Sequence, residues 1–199
     1  MRFFNKSLTL LELLIALGLF SVIVLTFTSI QYFSHFHVVT SGRQSLLQNE
    51  ISFALEHMAK FVSQAPGYPD SPAIIQLGTN DGFSVAREHT PNPPGTPGDP
   101  TDDTTIVYRL QNINELGCSL NNEMLSRHIL ANVVIGPIPS PLPANPSGFY
   151  FNITNPGPAG GSVIEVALVA RWQPANPVSL DNPQVVMKTL LYARGSASQ

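Results

Sequence analysis

Residues 5–30 read NKSLTLLELLIALGLFSVIVLTFTSI, and this stretch decides the fold of the chain. Between Leu10 and Ile30 the only charged residue is Glu12. About 20 apolar residues in a helix cross the hydrocarbon core of a bilayer, so the stretch predicts a membrane-spanning helix. A carboxylate inside such a helix is unfavourable by about 2.5–3.5 kcal/mol on insertion scales and therefore requires a partner. The alternative is that Glu12, one turn into the helix, extends to the membrane surface.

The residues just before the apolar stretch follow a defined order. Arg2 and Lys6 are basic, Ser7 is small, and Glu12 is the fifth residue counted from Leu8. This order resembles the cleavage and methylation signal of the type IV pilin family, in which Lys-Gly precedes Phe, Thr, Leu, a hydrophobic residue and Glu. Ser7 stands where Gly is usual in that family, and Leu8 stands where Phe is usual.

The resemblance implies processing followed by assembly. In the family, a membrane peptidase cuts after the Gly and methylates the new amino terminus. Carried over to this chain, the cut falls between Ser7 and Leu8, Leu8 is N-methylated, and its amine pairs with Glu12 of a neighbouring subunit. The implied partners are a prepilin peptidase/methyltransferase, other pilin or pseudopilin subunits and an inner-membrane assembly platform.

Charge is asymmetric across the apolar stretch. Arg2 and Lys6 precede it, and the next positive residue is Arg43. The positive-inside rule then places the N-terminus in the cytoplasm and the rest of the chain outside. We therefore expect a single-pass protein, and the family resemblance implies that its membrane is the bacterial inner membrane and its outer domain is periplasmic. A cleaved secretory signal fits less well, because its apolar region would be about 7–15 residues long and would end in a small-x-small site.

A second helical pattern follows the apolar stretch. Apolar residues recur at helical spacing on one face, which is typical of an amphipathic helix laid against a core; they are Leu47, Ile51, Leu55, Met58 and Val62. No proline interrupts residues 8–64, and Pro66 is a stop signal. The predicted organisation is a leader at 1–7, a transmembrane helix at 8–30, a helical extension at 31–65 and a β-rich periplasmic domain at 66–199.

Short β-type runs alternate with Pro, Gly and Asn beyond residue 66. The expected strands cover 73–77, 83–86, 104–110, 123–127, 129–135, 149–153, 163–172 and 184–193, with a turn at 117–122. The run 163–172 is apolar on both faces and is predicted to be a central strand. The predicted fold class is α+β and pilin-like, with the long helix packed on a mainly antiparallel β-sheet.

Three proline-rich segments, at 90–103, 136–148 and 155–161, are predicted to be surface loops. The first contains an acidic cluster made up of Asp99, Asp102 and Asp103. A structural calcium ion is one interpretation of this cluster, although Asp, Pro and Thr are also common turn residues and a solvated loop is preferred.

Two single residues carry expectations of their own. Cys118 is the only cysteine, so an internal disulfide is excluded, and we expect this residue to be buried or half-buried as a small apolar group. His57 follows Glu56 in the amphipathic helix and is expected to be exposed.

Composition and motifs argue against several classes of function. The net charge is −3 and no basic patch follows the apolar stretch, so nucleic-acid binding has no electrostatic support. No nucleophile elbow, zinc-protease motif, phosphate loop or CxxC pair occurs, and we expect neither an enzyme nor a cofactor or metal. The favoured function is a non-enzymatic minor pilin of a type IV pilus-like filament. The alternatives are a minor pseudopilin of a type II secretion system, a DNA-uptake pilus subunit and an uncleaved, single-pass anchored periplasmic interaction protein.

Overall fold

One helix and eight strands make up the described part of the chain. The computed structural model describes residues 9–66, 72–78, 82–87, 104–111, 114–120, 127–134, 148–154 and 162–193. The elements are α1 (Leu10–Gln64), β1 (Ile74–Leu77), β2 (Gly82–Arg87), β3 (Thr104–Gln111), β4 (Glu115–Leu120), β5 (Arg127–Leu130), β6 (Phe149–Thr154), β7 (Val163–Arg171) and β8 (Gln184–Tyr192). The chain divides into two units, Met1–Gly42 and Arg43–Gln199.

The described part of the first unit is a single helical stretch, most of whose large apolar side chains are exposed. An 18-residue window of α1 has a mean hydropathy of 2.6, so the helix is long and apolar enough to cross a membrane. Its hydroxyl side chains form hydrogen bonds within the helix: Ser21 Oγ donates to the Leu17 carbonyl at 2.5 Å, and Ser29 Oγ donates to the Leu25 carbonyl at 2.8 Å. These hydroxyls therefore expose no unsatisfied donor to an apolar surrounding.

In the second unit, α1 buries one face against the sheets. The buried residues are Leu47, Ile51, Ala54, Leu55, Met58 and Val62. This is the face that the sequence periodicity predicts, with Ala54 added. The helix ends at Gln64, two residues before the predicted stop at Pro66.

The strands form two antiparallel sheets, with orders β1-β2-β3-β4-β5 and β6-β7-β8. The predicted α+β class, with a long helix and an antiparallel sheet region, is confirmed. Strand β7 lies between β6 and β8, as its two apolar faces predict. Its residues from Val166 to Ala170 are all buried.

Aromatic side chains join the two sheets in the core. Phe83 of β2 lies 5.1 Å from Tyr108 of β3, measured between ring centroids, and 5.5 Å from Phe151 of β6. Phe149 stacks beside Phe151 at 5.3 Å, and Phe83, Tyr108 and Phe149 are fully buried. Aromatic pairs at such distances stabilise a core beyond the apolar area that they bury.

The predicted turn at 117–122 is wrong over residues 117–120, and residues 121–122 lie outside the described part of the chain. Gly117, Cys118 and Ser119 belong to β4, where they pair in register with β3 and are buried. The connection comes earlier, because β3 ends at Gln111 and β4 begins at Glu115. Small residues are common in turns, but here they occupy buried strand positions.

Several expectations fall on residues that are not described. These are the leader at 1–7, the strand over most of 123–127, and the proline-rich segments at 90–103, 136–147 and 155–161, including the acidic cluster. The remaining predicted strands overlap β1, β2, β3, β5, β6, β7 and β8, with ends that differ by a few residues.

Candidate assembly site

The helix containing Glu12 begins with a reciprocal cap. Thr9 immediately precedes α1, and its Oγ1 accepts a hydrogen bond from the Glu12 backbone N–H at 3.3 Å. In return, Glu12 Oε2 accepts hydrogen bonds at 3.0 Å from both the backbone N–H and the Oγ1 hydroxyl of Thr9. This is the capping-box arrangement, which satisfies two backbone donors that the first turn of a helix leaves without partners.

The two oxygens of the Glu12 carboxylate have different surroundings. Oε2 receives both hydrogen bonds from Thr9, whereas no donor within the described residues contacts Oε1. The side chain is exposed. The cap therefore fixes the carboxylate while leaving one oxygen able to accept a hydrogen bond from a cation on another molecule. Ser7 and Leu8, the predicted processing residues, lie outside the described residues.

The sequence analysis did not identify the capping role of Thr9. The signal was present, since Thr-x-x-Glu directly before an apolar helical run is the sequence signature of a capping box. The structure thus gives Glu12 a role in its own chain that the family resemblance does not require.

Metal-binding side chains do not gather within the described residues. No group of three or more His, Cys, Asp or Glu residues there is placed to hold an ion. His37, just beyond the apolar stretch, packs edge-on against Phe33, with ring centroids 4.2 Å apart. In this contact His37 acts as a packing residue on the helix surface.

His57 is not the exposed residue that its sequence position suggested. It is half-buried, and its Nδ1 lies 3.1 Å from the Tyr108 hydroxyl, within hydrogen-bond distance. Its ring also packs 4.9 Å from that of Phe61. A buried tyrosine hydroxyl needs a polar partner, and His57 supplies it from the helix facing the sheet.

Burial raises the pKa of the Tyr108 hydroxyl above its ordinary value, and the neighbouring Cys118 thiol acts in the same direction. Cys118 is itself buried, as predicted, and is paired in register with Tyr108. The tyrosine is therefore held neutral, which suits a core residue and not a nucleophile or general base.

Stability should fall at high pH because of Tyr108. Its folded-state pKa exceeds the unfolded value of about 10, so its contribution is complete below about pH 10 and decreases above it. We expect the unfolding free energy to fall there by up to about 1.4 kcal/mol per pH unit more steeply than in Tyr108→Phe. Urea unfolding of both chains in detergent across this range measures the difference, and parallel curves would refute the assignment.

Comparison with known proteins adds no identification: no family model, curated protein or solved structure matches this chain.

Proposed function

We propose that this chain is a non-enzymatic structural subunit of a type IV pilus-like filament, of the minor class. The observation that carries the proposal is the position of Glu12. It is an acid at the start of an exposed apolar helix, with one carboxylate oxygen held by Thr9 and the other without a donor within the described residues. The order of residues from Lys6 to Glu12, which resembles the pilin processing signal, supports the same function.

Assembly then follows from electrostatics in lipid. Cleavage between Ser7 and Leu8 would create an ammonium group directly before the Thr9 cap. An isolated ammonium group is energetically unfavourable in a medium of low dielectric constant, and so is an isolated carboxylate. Pairing the Leu8 amine of one subunit with Glu12 of the next reduces both costs and sets the axial stagger between the two helices.

The small residues of the apolar helix would let a second helix pack closely against it, as this arrangement requires. Small residues on membrane helices let neighbouring backbones approach each other; in this helix they are Ala16, Gly18 and Ser21. A Cβ added at Gly18 would meet no atom within 4 Å among the described residues, apart from its two chain neighbours and the nearby backbone of its own helix. A second membrane helix could occupy that position.

Two other functions remain candidates. A minor pseudopilin of a type II secretion system would use the same processing and the same Glu12 pairing. An uncleaved anchored protein would need only the capping box, since Thr9 already satisfies Glu12 Oε2 within one chain. Cleavage distinguishes this last function from the other two.

Processing can be tested by co-expression with a prepilin peptidase. We expect the chain to lose residues 1–7, because the peptidase should cut between Ser7 and Leu8. The resemblance implies that Ser7→Gly is cut at least as completely, whereas Ser7→Leu is not cut. Intact mass spectrometry of membrane extracts distinguishes the forms. Equal retention of Met1 in all three chains would favour the anchored protein.

A further inference from the structure

A groove of about 310 Å³ lies between α1 and strand β8 in the second unit. The helix lines it with residues between Ser52 and Ala59, among them Glu56, and the strand lines it with residues between Met187 and Leu191, Lys188 included. The groove therefore covers about two turns of α1 and the second half of β8. It lies beside an outer strand of the three-stranded sheet.

Strand β8 is the last strand in its sheet, and no described residue pairs with its outer edge. It is nine residues long, contains no proline and pairs with β7 in one continuous register without a bulge. Its only charged residue, Lys188, forms an ion pair with Glu165. Natural proteins protect an open edge with proline, with a bulge or with charged side chains, because unpaired N–H and C=O groups recruit another strand. Of these devices β8 has only Lys188, whose charge is paired with Glu165.

The face of β8 opposite the groove carries three apolar residues together with Lys188, whose charge is paired with Glu165. Val186, Leu190 and Tyr192 are 45%, 53% and 63% exposed. A strand added at this edge would place alternate side chains beside these three residues and the intervening side chains beside the groove. Both faces of an added strand would therefore find apolar contacts.

We propose that this edge binds an extended segment of a partner polypeptide, which adds to β8 as a fourth strand of the sheet. Backbone hydrogen bonds provide the main recognition, and alternate apolar side chains provide selectivity, as in other cases of strand addition beside a groove. The segment has a basic residue facing Glu56, whose exposed carboxylate makes no hydrogen bond or ion pair within the described residues. This inference does not depend on the proposed filament function.

The test uses the full-length chain in detergent and labelled synthetic peptides of about ten residues. Two peptides are compared, and both have valine at alternate positions. One has Lys at a central position, and the matched peptide has Gln there. We expect binding with a Kd below about 1 mM. N-methylation of the amides along one edge of the peptide should weaken binding at least about tenfold, whereas the same number of methyl groups on the other edge should have little effect.

Two variants of the chain test how much the Glu56 charge contributes to peptide binding. Glu56→Gln should remove the preference for the Lys peptide over the Gln peptide, and Asp181→Asn, which removes an exposed carboxylate outside the groove, should keep that preference. Fluorescence anisotropy reports both measurements.

Four results would overturn the inference. They are absence of peptide binding, equal weakening by N-methylation of either edge, binding that requires deletion of residues 194–199, and self-association of the chain that the peptides disrupt. The third would mean that the chain's own C-terminus occupies the edge. The fourth would mean that a second copy does.

Discussion

Glu12→Gln is expected to remove this chain from filaments while leaving it in the membrane. Glutamine at the third helical position can still accept a hydrogen bond from the Thr9 N–H, so the cap is retained. The negative charge is lost, and the amine of a neighbouring Leu8 then stays uncompensated in lipid. Because several kcal/mol depend on that pairing, incorporation should fall at least about tenfold. The measurement is the ratio of chain in sheared filaments to chain in the membrane fraction.

Thr9→Ala is the matched control, because it removes the cap and keeps the carboxylate charge. Loss of an N-cap side chain costs about 1 kcal/mol of helix stability, which a long membrane helix tolerates. We therefore expect Thr9→Ala to enter filaments nearly as well as the unmodified chain. The reverse pattern, in which Glu12→Gln is incorporated and Thr9→Ala is excluded, would show that Glu12 acts only within its own helix.

Gly82→Ala is expected to destabilise the second unit strongly although it adds only one methyl group. A Cβ at this position would lie 2.1 Å from the Tyr108 carbonyl oxygen and 2.8 Å from the Arg109 Cβ. The first of these is a backbone atom in the neighbouring strand, so relief requires β2 and β3 to separate beside the buried ring of Phe83. We expect a loss of about 3 kcal/mol or more of unfolding free energy.

Gly42→Ala makes the same chemical change where the structure has room. Gly42 lies within α1, and a Cβ there would meet nothing within 4 Å. Alanine in a helix interior is favoured over glycine by about 0.5–1 kcal/mol, so this variant should be neutral or more stable. Thermal unfolding followed by the fluorescence of Trp172, the only tryptophan, compares the two. Equal stability of the two variants would contradict the β2–β3 packing described above.

The sequence alone predicts those parts of the fold that depend on local periodicity. The spacing of Leu47, Ile51 and Met58 identifies the buried face of α1, since every residue on that face packs against the same core. Likewise, the unbroken apolar run of β7 indicates burial on both sides, and the structure places β7 between two strands.

The remaining features depend on pairing with other segments of the chain. β4 contains small residues that resemble a turn, and its pairing with both β3 and β5 makes Cys118 a strand residue. His57 has an exposed-looking helix position, but its partner Tyr108 is 51 residues away. Thr9 is different, since its partner is local and the capping signature was readable beside the family resemblance.

The most direct test is the intact mass of the native protein, purified from the membranes and filaments of the organism that encodes it. The account predicts one main species in filaments, beginning at Leu8 and heavier by one methyl group. Glu12 can pair with a neighbouring amine at this depth only if that amine has been created. A native protein that is absent from filaments and still begins at Met1 would contradict the account.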